Sequence, residues 1–76
     1  MTKGVFNWSF GDVVGFLKAR GFRHLDTSAS HYHYTAVIGG ATRLVQVPFH
    51  GRSVIKPRTF KSIVAQSGVP LKEWRG

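Results

Sequence analysis

Hydrophobic and polar residues follow two different periods along this chain, and each period marks a different kind of element. Between Ser9 and Arg20, the apolar residues Phe10, Val13, Val14 and Leu17 recur at i, i+3, i+4 and i+7, the spacing that lines one face of an α-helix. Ser9 can cap this helix, with Asp12 three residues on in a capping-box-like position that suits the helix dipole, and Gly21 fits a left-handed stop. Gly15 inside the helix costs about 1 kcal/mol relative to alanine. It points either to a close approach of helix to sheet or to a tolerant surface position. Phe22 to Thr27 alternates poorly and reads as an edge strand, after which Thr27-Ser28-Ala29-Ser30 supplies small polar residues for a turn.

The stronger strand signal comes next. Tyr32, Tyr34, Val37 and Ile38, then Leu44, Val45, Val47 and Phe49, flank Gly39-Gly40, a favoured two-residue hairpin turn. With that turn fixed, Ile38 faces Ala41, Tyr34 pairs with Val45, Tyr32 with Val47 and His31 with Pro48. Side chains alternate between the two faces of a sheet. Tyr32, Tyr34, Ala36, Ile38, Val45, Val47 and Phe49 therefore share an apolar face that helices would cover, and His31, His33, Gln46 and His50 share the other. This sorting holds only if no bulge shifts the ladder.

A second helix is predicted from Pro57 to Ser67, with Phe60, Ile63 and Val64 on one face and Gly68 as its stop. Lys56, Arg58 and Lys61 surround its start, where cations oppose the helix dipole. Free N–H groups together with positive side chains suit a phosphate instead. The short tail, 70–76, contains Pro70 and an exposed-looking Trp74, and reads as a turn packed on the domain or a partner-facing segment.

Composition narrows the functional classes. The chain has 76 residues and no cysteine, which leaves room for one domain over 1–76 with a modest core and no disulfide framework or Cys-based zinc site. Eleven Lys+Arg stand against three Asp+Glu, a net charge of +8. That balance favours nucleic acid or an acidic protein as partner over a membrane, for which no long basic amphipathic helix is present. Met1-Thr2-Lys3-Gly4 lacks the apolar core of a signal peptide, so a soluble, cytoplasmic protein is expected. Three of the four histidines lie in the hairpin segments, and imidazoles within a basic shell point to chemistry on a polyanion. A metal site of His31, His33 and His50 is disfavoured by the lack of Cys or acid in either segment. No metal or other cofactor is expected.

Ser30-His31-x-x-Tyr34 enters the central strand, and Val47-Pro48-Phe49-His50-Gly51 ends the third, followed by Lys56, Pro57, Thr59, Phe60 and Ile63. This ordered set, over roughly residues 9–69, resembles the HicA toxin family. The resemblance implies an α+β fold like the double-stranded-RNA-binding domain, α-β-β-β-α, with two helices on one face of a three-stranded antiparallel sheet. It also implies an endoribonuclease toxin that cleaves messenger RNA (mRNA) and is neutralised by a HicB-type antitoxin. The family's catalytic histidine corresponds to His31. Ala29 replaces the family's usual glycine, which would stiffen the loop and lower activity, and His33 fills a position commonly held by Ile or Val.

RNA carries its own nucleophile, the 2′-hydroxyl, so cleavage needs a base, an acid and cations but no metal. On this reading His31 is the acid or base. His50, Tyr34 and Ser30 are possible auxiliaries, and Arg52, Lys56, Arg58 and Lys61 hold phosphates. Two alternatives stay open: a non-catalytic RNA-binding module of the same fold, and a degenerate toxin that serves only to bind the antitoxin.

Overall fold

The computed structural model describes residues 7–49, 51 and 53–75. Helix α1 (Phe10–Ala19) leads into three strands, β1 (Arg23–Ser28), β2 (His31–Ile38) and β3 (Ala41–Pro48), then into α2 (Pro57–Ser67) and a single turn, α3 (Leu71–Arg75). The strands form one antiparallel sheet in the order β1-β2-β3. This is the α-β-β-β-α arrangement expected from the chain's pattern, with a short third helix added.

Both main helices begin and end where their residues dictate. Ser9 accepts the Asp12 amide on its side chain (3.2 Å) while the Asp12 carboxylate accepts the Ser9 amide (3.0 Å), completing the capping box. Trp8 precedes the cap and Val13 stands at the fourth helical position; both are buried, in the places of a hydrophobic staple. Pro57 opens α2 and Gly68, at φ 74°, closes it in the left-handed conformation that glycine adopts without steric cost. Gly15 is exposed, and a β-carbon there would meet nothing within 4 Å. No close approach to the sheet explains this glycine, and the surface reading holds.

The β2–β3 register matches the pairing expected from the Gly39-Gly40 turn, from Ile38 opposite Ala41 to His31 opposite Pro48. Both turn glycines have positive φ, as a type I′ turn requires. The β1–β2 pairing is less regular. It shifts between His24 and Asp26, leaving Leu25 as an extra residue, so that Asp26 rather than Leu25 stands opposite His33.

The core lies under one face of the sheet. Tyr34, Val45 and Val47 meet Val13 and Leu17 of α1 and Phe60 and Ile63 of α2 there. An aromatic cluster closes its far side: the Trp74 ring stacks on Phe16 at 3.9 Å between centroids and meets Trp8 and Phe60 edge-on at 5.4 Å. Trp74 is only 2% exposed, and its indole N–H donates to the Val69 carbonyl at 3.3 Å. The exposed reading of Trp74 is therefore corrected. The tail folds into one helical turn because an indole of this size gains roughly 3 kcal/mol on burial and its N–H finds a partner. Arg20, at the end of α1, ties α3 down further through an ion pair with Glu73.

Candidate functional site

His31 opens β2 directly after a two-residue turn, Ala29-Ser30. Ala29 has φ 55°, in the left-handed region. It is the first of the two turn residues, the position where a glycine is favoured when φ is positive. The Ser30 carbonyl accepts the amide of Phe49 at 2.8 Å, extending the β2–β3 ladder by one bond and fixing the backbone on which His31 sits.

The His31 side chain lies on the sheet face away from the core and lines a groove of about 360 Å³. Gln46 and Pro48 of β3 and Arg58, Thr59, Ser62, Ile63 and Gln66 of α2 form the rest of its wall. Two hydrogen bonds hold the far wall. The Gln66 side-chain oxygen accepts the Gln46 backbone N–H at 2.8 Å, and its amide nitrogen donates to Ser62 Oγ at 3.0 Å. One helix side chain thus ties the Gln46 amide of β3 to α2.

Arg58 lies in the first turn of α2 and faces the same groove as His31. Lys56 is the N-cap, with no side-chain capping bond, and lines an adjoining hollow of about 400 Å³ with Ser53, Val54 and Ile55; Pro48 and Thr59 belong to both. Among the described residues, α2 has no acid in its first turn, so no carboxylate there offsets Lys56, Arg58 and the positive end of the helix dipole. Lys61 is exposed and lies outside both hollows.

The expected helpers separate. Tyr34 is corrected: three residues from His31 along the strand, it points to the opposite face and is buried in the core. Burial pushes its phenol above the usual 10.0, with the neighbouring Tyr32 adding to the effect. A phenol so placed cannot take a proton near neutral pH at the His31 face. Ser30 contributes its backbone carbonyl to the ladder. His50 and Arg52 lie outside the described residues. His24 places Nε2 2.7 Å from Thr27 Oγ1, with its ring beside Tyr32 and Tyr34.

His33 does not behave as an ordinary packing residue of the strand. It shares the open face with His31, and its Nδ1 lies 2.7 Å from Asp26 Oδ1. Asp26 is the partner that sequence reasoning missed, because its position opposite His33 depends on the β1 bulge. Among the described residues, no group of three or more His, Cys, Asp or Glu could hold a metal ion, and no helix is long and apolar enough to cross a membrane.

All three acidic residues of the chain are thus engaged: Asp12 in the helix cap, Glu73 with Arg20, and Asp26 with His33. None opposes Arg58 or Lys56 in the hollows they line. Comparison with curated proteins and with solved structures gave no match. The family model of the HicA toxin of bacterial toxin–antitoxin matches residues 10–69, a span that holds α1, the whole sheet and α2. The chain belongs to the HicA toxin family.

Proposed function

We propose that this protein is an endoribonuclease toxin that cleaves mRNA without a metal, uses His31 as a proton-transfer group, and is held inactive by a HicB-type antitoxin. The observation that carries this reading is the groove itself: an exposed imidazole at the start of the central strand, lining one groove with an arginine in the first turn of a helix that has no side-chain cap. A scissile phosphate in that groove would have Arg58 and the amides of α2 on one side and His31 on the other.

The reaction needs little else. A base takes the proton of the 2′-hydroxyl, whose oxygen attacks the adjacent phosphorus. The bond from phosphorus to the 5′-oxygen breaks, and that oxygen leaves with a proton from an acid. The products are a 2′,3′-cyclic phosphate and a 5′-hydroxyl, with one proton taken up and one given. Acid–base catalysis of this kind contributes about 10²- to 10⁴-fold in rate, and the cations offset charge that builds on the phosphoryl oxygens. The net charge of +8 supports an acidic antitoxin surface as the natural cover for the groove.

Incubation of purified protein with mRNA in EDTA tests this reading. Cleavage is expected to persist in EDTA and to fall by about 10²-fold or more in His31→Ala. Intact RNA with salt-sensitive binding would replace the enzyme with an RNA-binding module, and neither binding nor cleavage would leave an antitoxin-binding protein.

A further inference from the structure

We infer that His33, oriented by Asp26, is the second proton-transfer group of the site, the acid that protonates the leaving 5′-oxygen while His31 acts as base. This inference rests on the ribonuclease reading above. It starts from the one acid of the chain that neither caps a helix nor fastens α3. The β1 bulge moves Asp26 into register with His33, and its carboxylate holds Nδ1 of that ring at 2.7 Å.

A ring bonded to a carboxylate through Nδ1–H has its other nitrogen, Nε2, left for proton exchange, and its orientation is fixed. His33 is half-buried, its side chain 23% exposed, whereas Asp26 is 65% exposed. The packed imidazole is thus held in place by a carboxylate reaching in from the neighbouring strand. That arrangement orients the ring and does little to stabilise the fold, since exposed ion pairs contribute only about 0–1 kcal/mol.

Distance fits the reaction. His31 and His33 alternate on one strand and share one face. At a rise of about 3.3 Å per residue their Cα atoms stand roughly 6–7 Å apart. His33 itself does not line the groove but stands opposite Gln46, which does; a phosphate seated between the two rings would have one on each reacting oxygen, each across one hydrogen bond of about 2.7–3.0 Å. The surroundings divide the roles: the Asp26 carboxylate stands beside His33, whereas His31 shares its groove with Arg58 and no carboxylate. Opposite the pair on β3 stand Gln46 and Pro48, which do not titrate.

The test uses the full chain and an RNA in which the scissile site has been mapped with the wild-type protein, in two forms. One form is natural; in the other, sulfur replaces the leaving 5′-oxygen at that site, a leaving group that needs no proton. His33→Gln is expected to slow the natural RNA by about 10²- to 10⁴-fold and to cleave the sulfur form within about tenfold of the wild-type rate. His31→Ala slows both. Asp26→Asn, which keeps the shape of the pair but weakens its hold on the ring, is expected to lose less than His33→Gln and to show the same recovery on sulfur. Equal loss on both RNAs, or no loss, in a folded His33→Gln protein overturns the inference while the ribonuclease reading stands. Wild-type protein that cleaves no RNA in the mapping step overturns both.

Discussion

Ala29 holds a backbone conformation that its β-carbon resists. At φ 55° an L-residue other than glycine sits in the left-handed region at a cost of about 1–2 kcal/mol. The cost falls at the turn that delivers His31 to the groove. Ala29→Gly removes this strain but adds freedom to the unfolded chain, about 0.4–1 kcal/mol in the other direction. The expected result is a gain of up to about 1 kcal/mol in urea unfolding. Tyr34 supports a prediction at the same scale. Its phenol is raised by burial, so the folded state keeps the proton that the unfolded chain loses from about pH 10 upward. The contribution of this group is complete below pH 10 and declines as pH rises through its folded value. Tyr34→Phe is expected to flatten the loss of stability above pH 10 and, as the ring lies on the face opposite His31, to leave RNA cleavage within about twofold of wild type. That bound is far inside the 10²-fold or more lost with a true acid or base.

Elements differ in how far they can be read from residues alone. The β2–β3 hairpin is legible because two adjacent glycines permit one short turn, and that turn sets every pair from Ile38–Ala41 to His31–Pro48. The ends of α1 and α2 are legible because Ser9, Asp12, Pro57 and Gly68 each satisfy or end backbone hydrogen bonding locally. Strand β1 is legible as an edge strand but not in its register, since a bulge inserts a residue without leaving a mark in the alternation of polar side chains. The partnership of Asp26 with His33 was hidden for that reason. A five-residue helix such as α3 is also too short for a 3.6-residue period to show, so the burial of Trp74 follows only from tertiary contacts. Gly15 gives the element-scale prediction. Exposed within α1 and facing open space, it can accept a methyl group. Gly15→Ala is expected to stabilise the protein by about 1 kcal/mol, seen as a Tm higher by about 4–8 °C.

Across the whole molecule, the distribution of charge sets how the chain would meet RNA under the proposed function. Every carboxylate side chain is engaged, one within a helix cap and two across elements, and none lines the hollows of Arg58 and Lys56. Binding to single-stranded RNA is therefore expected to weaken linearly in log–log terms with added salt. Arg58→Ala, by removing one phosphate contact, should reduce the slope by about 0.7. A titration of fluorescent RNA at several salt concentrations measures it, and an unchanged slope would remove Arg58 from the contact set. This basic character is plain in the composition, whereas the gathering of His31 and Arg58 into one groove follows from the packing of α2 beside β3, through Phe60 and Ile63 in the core and the Gln66 bonds at the strand edge. The two tryptophans carry a consequence of another kind. Trp8 and Trp74 come from opposite parts of the sequence, yet their rings meet at 5.4 Å. Two indoles this close couple their electronic transitions, so the protein has a built-in optical signal that exists only while the N-terminal approach to α1 and the turn of α3 are docked together. Loss of that coupled near-ultraviolet band ahead of the far-ultraviolet signal would identify undocking of the tail as a step separate from melting of the sheet.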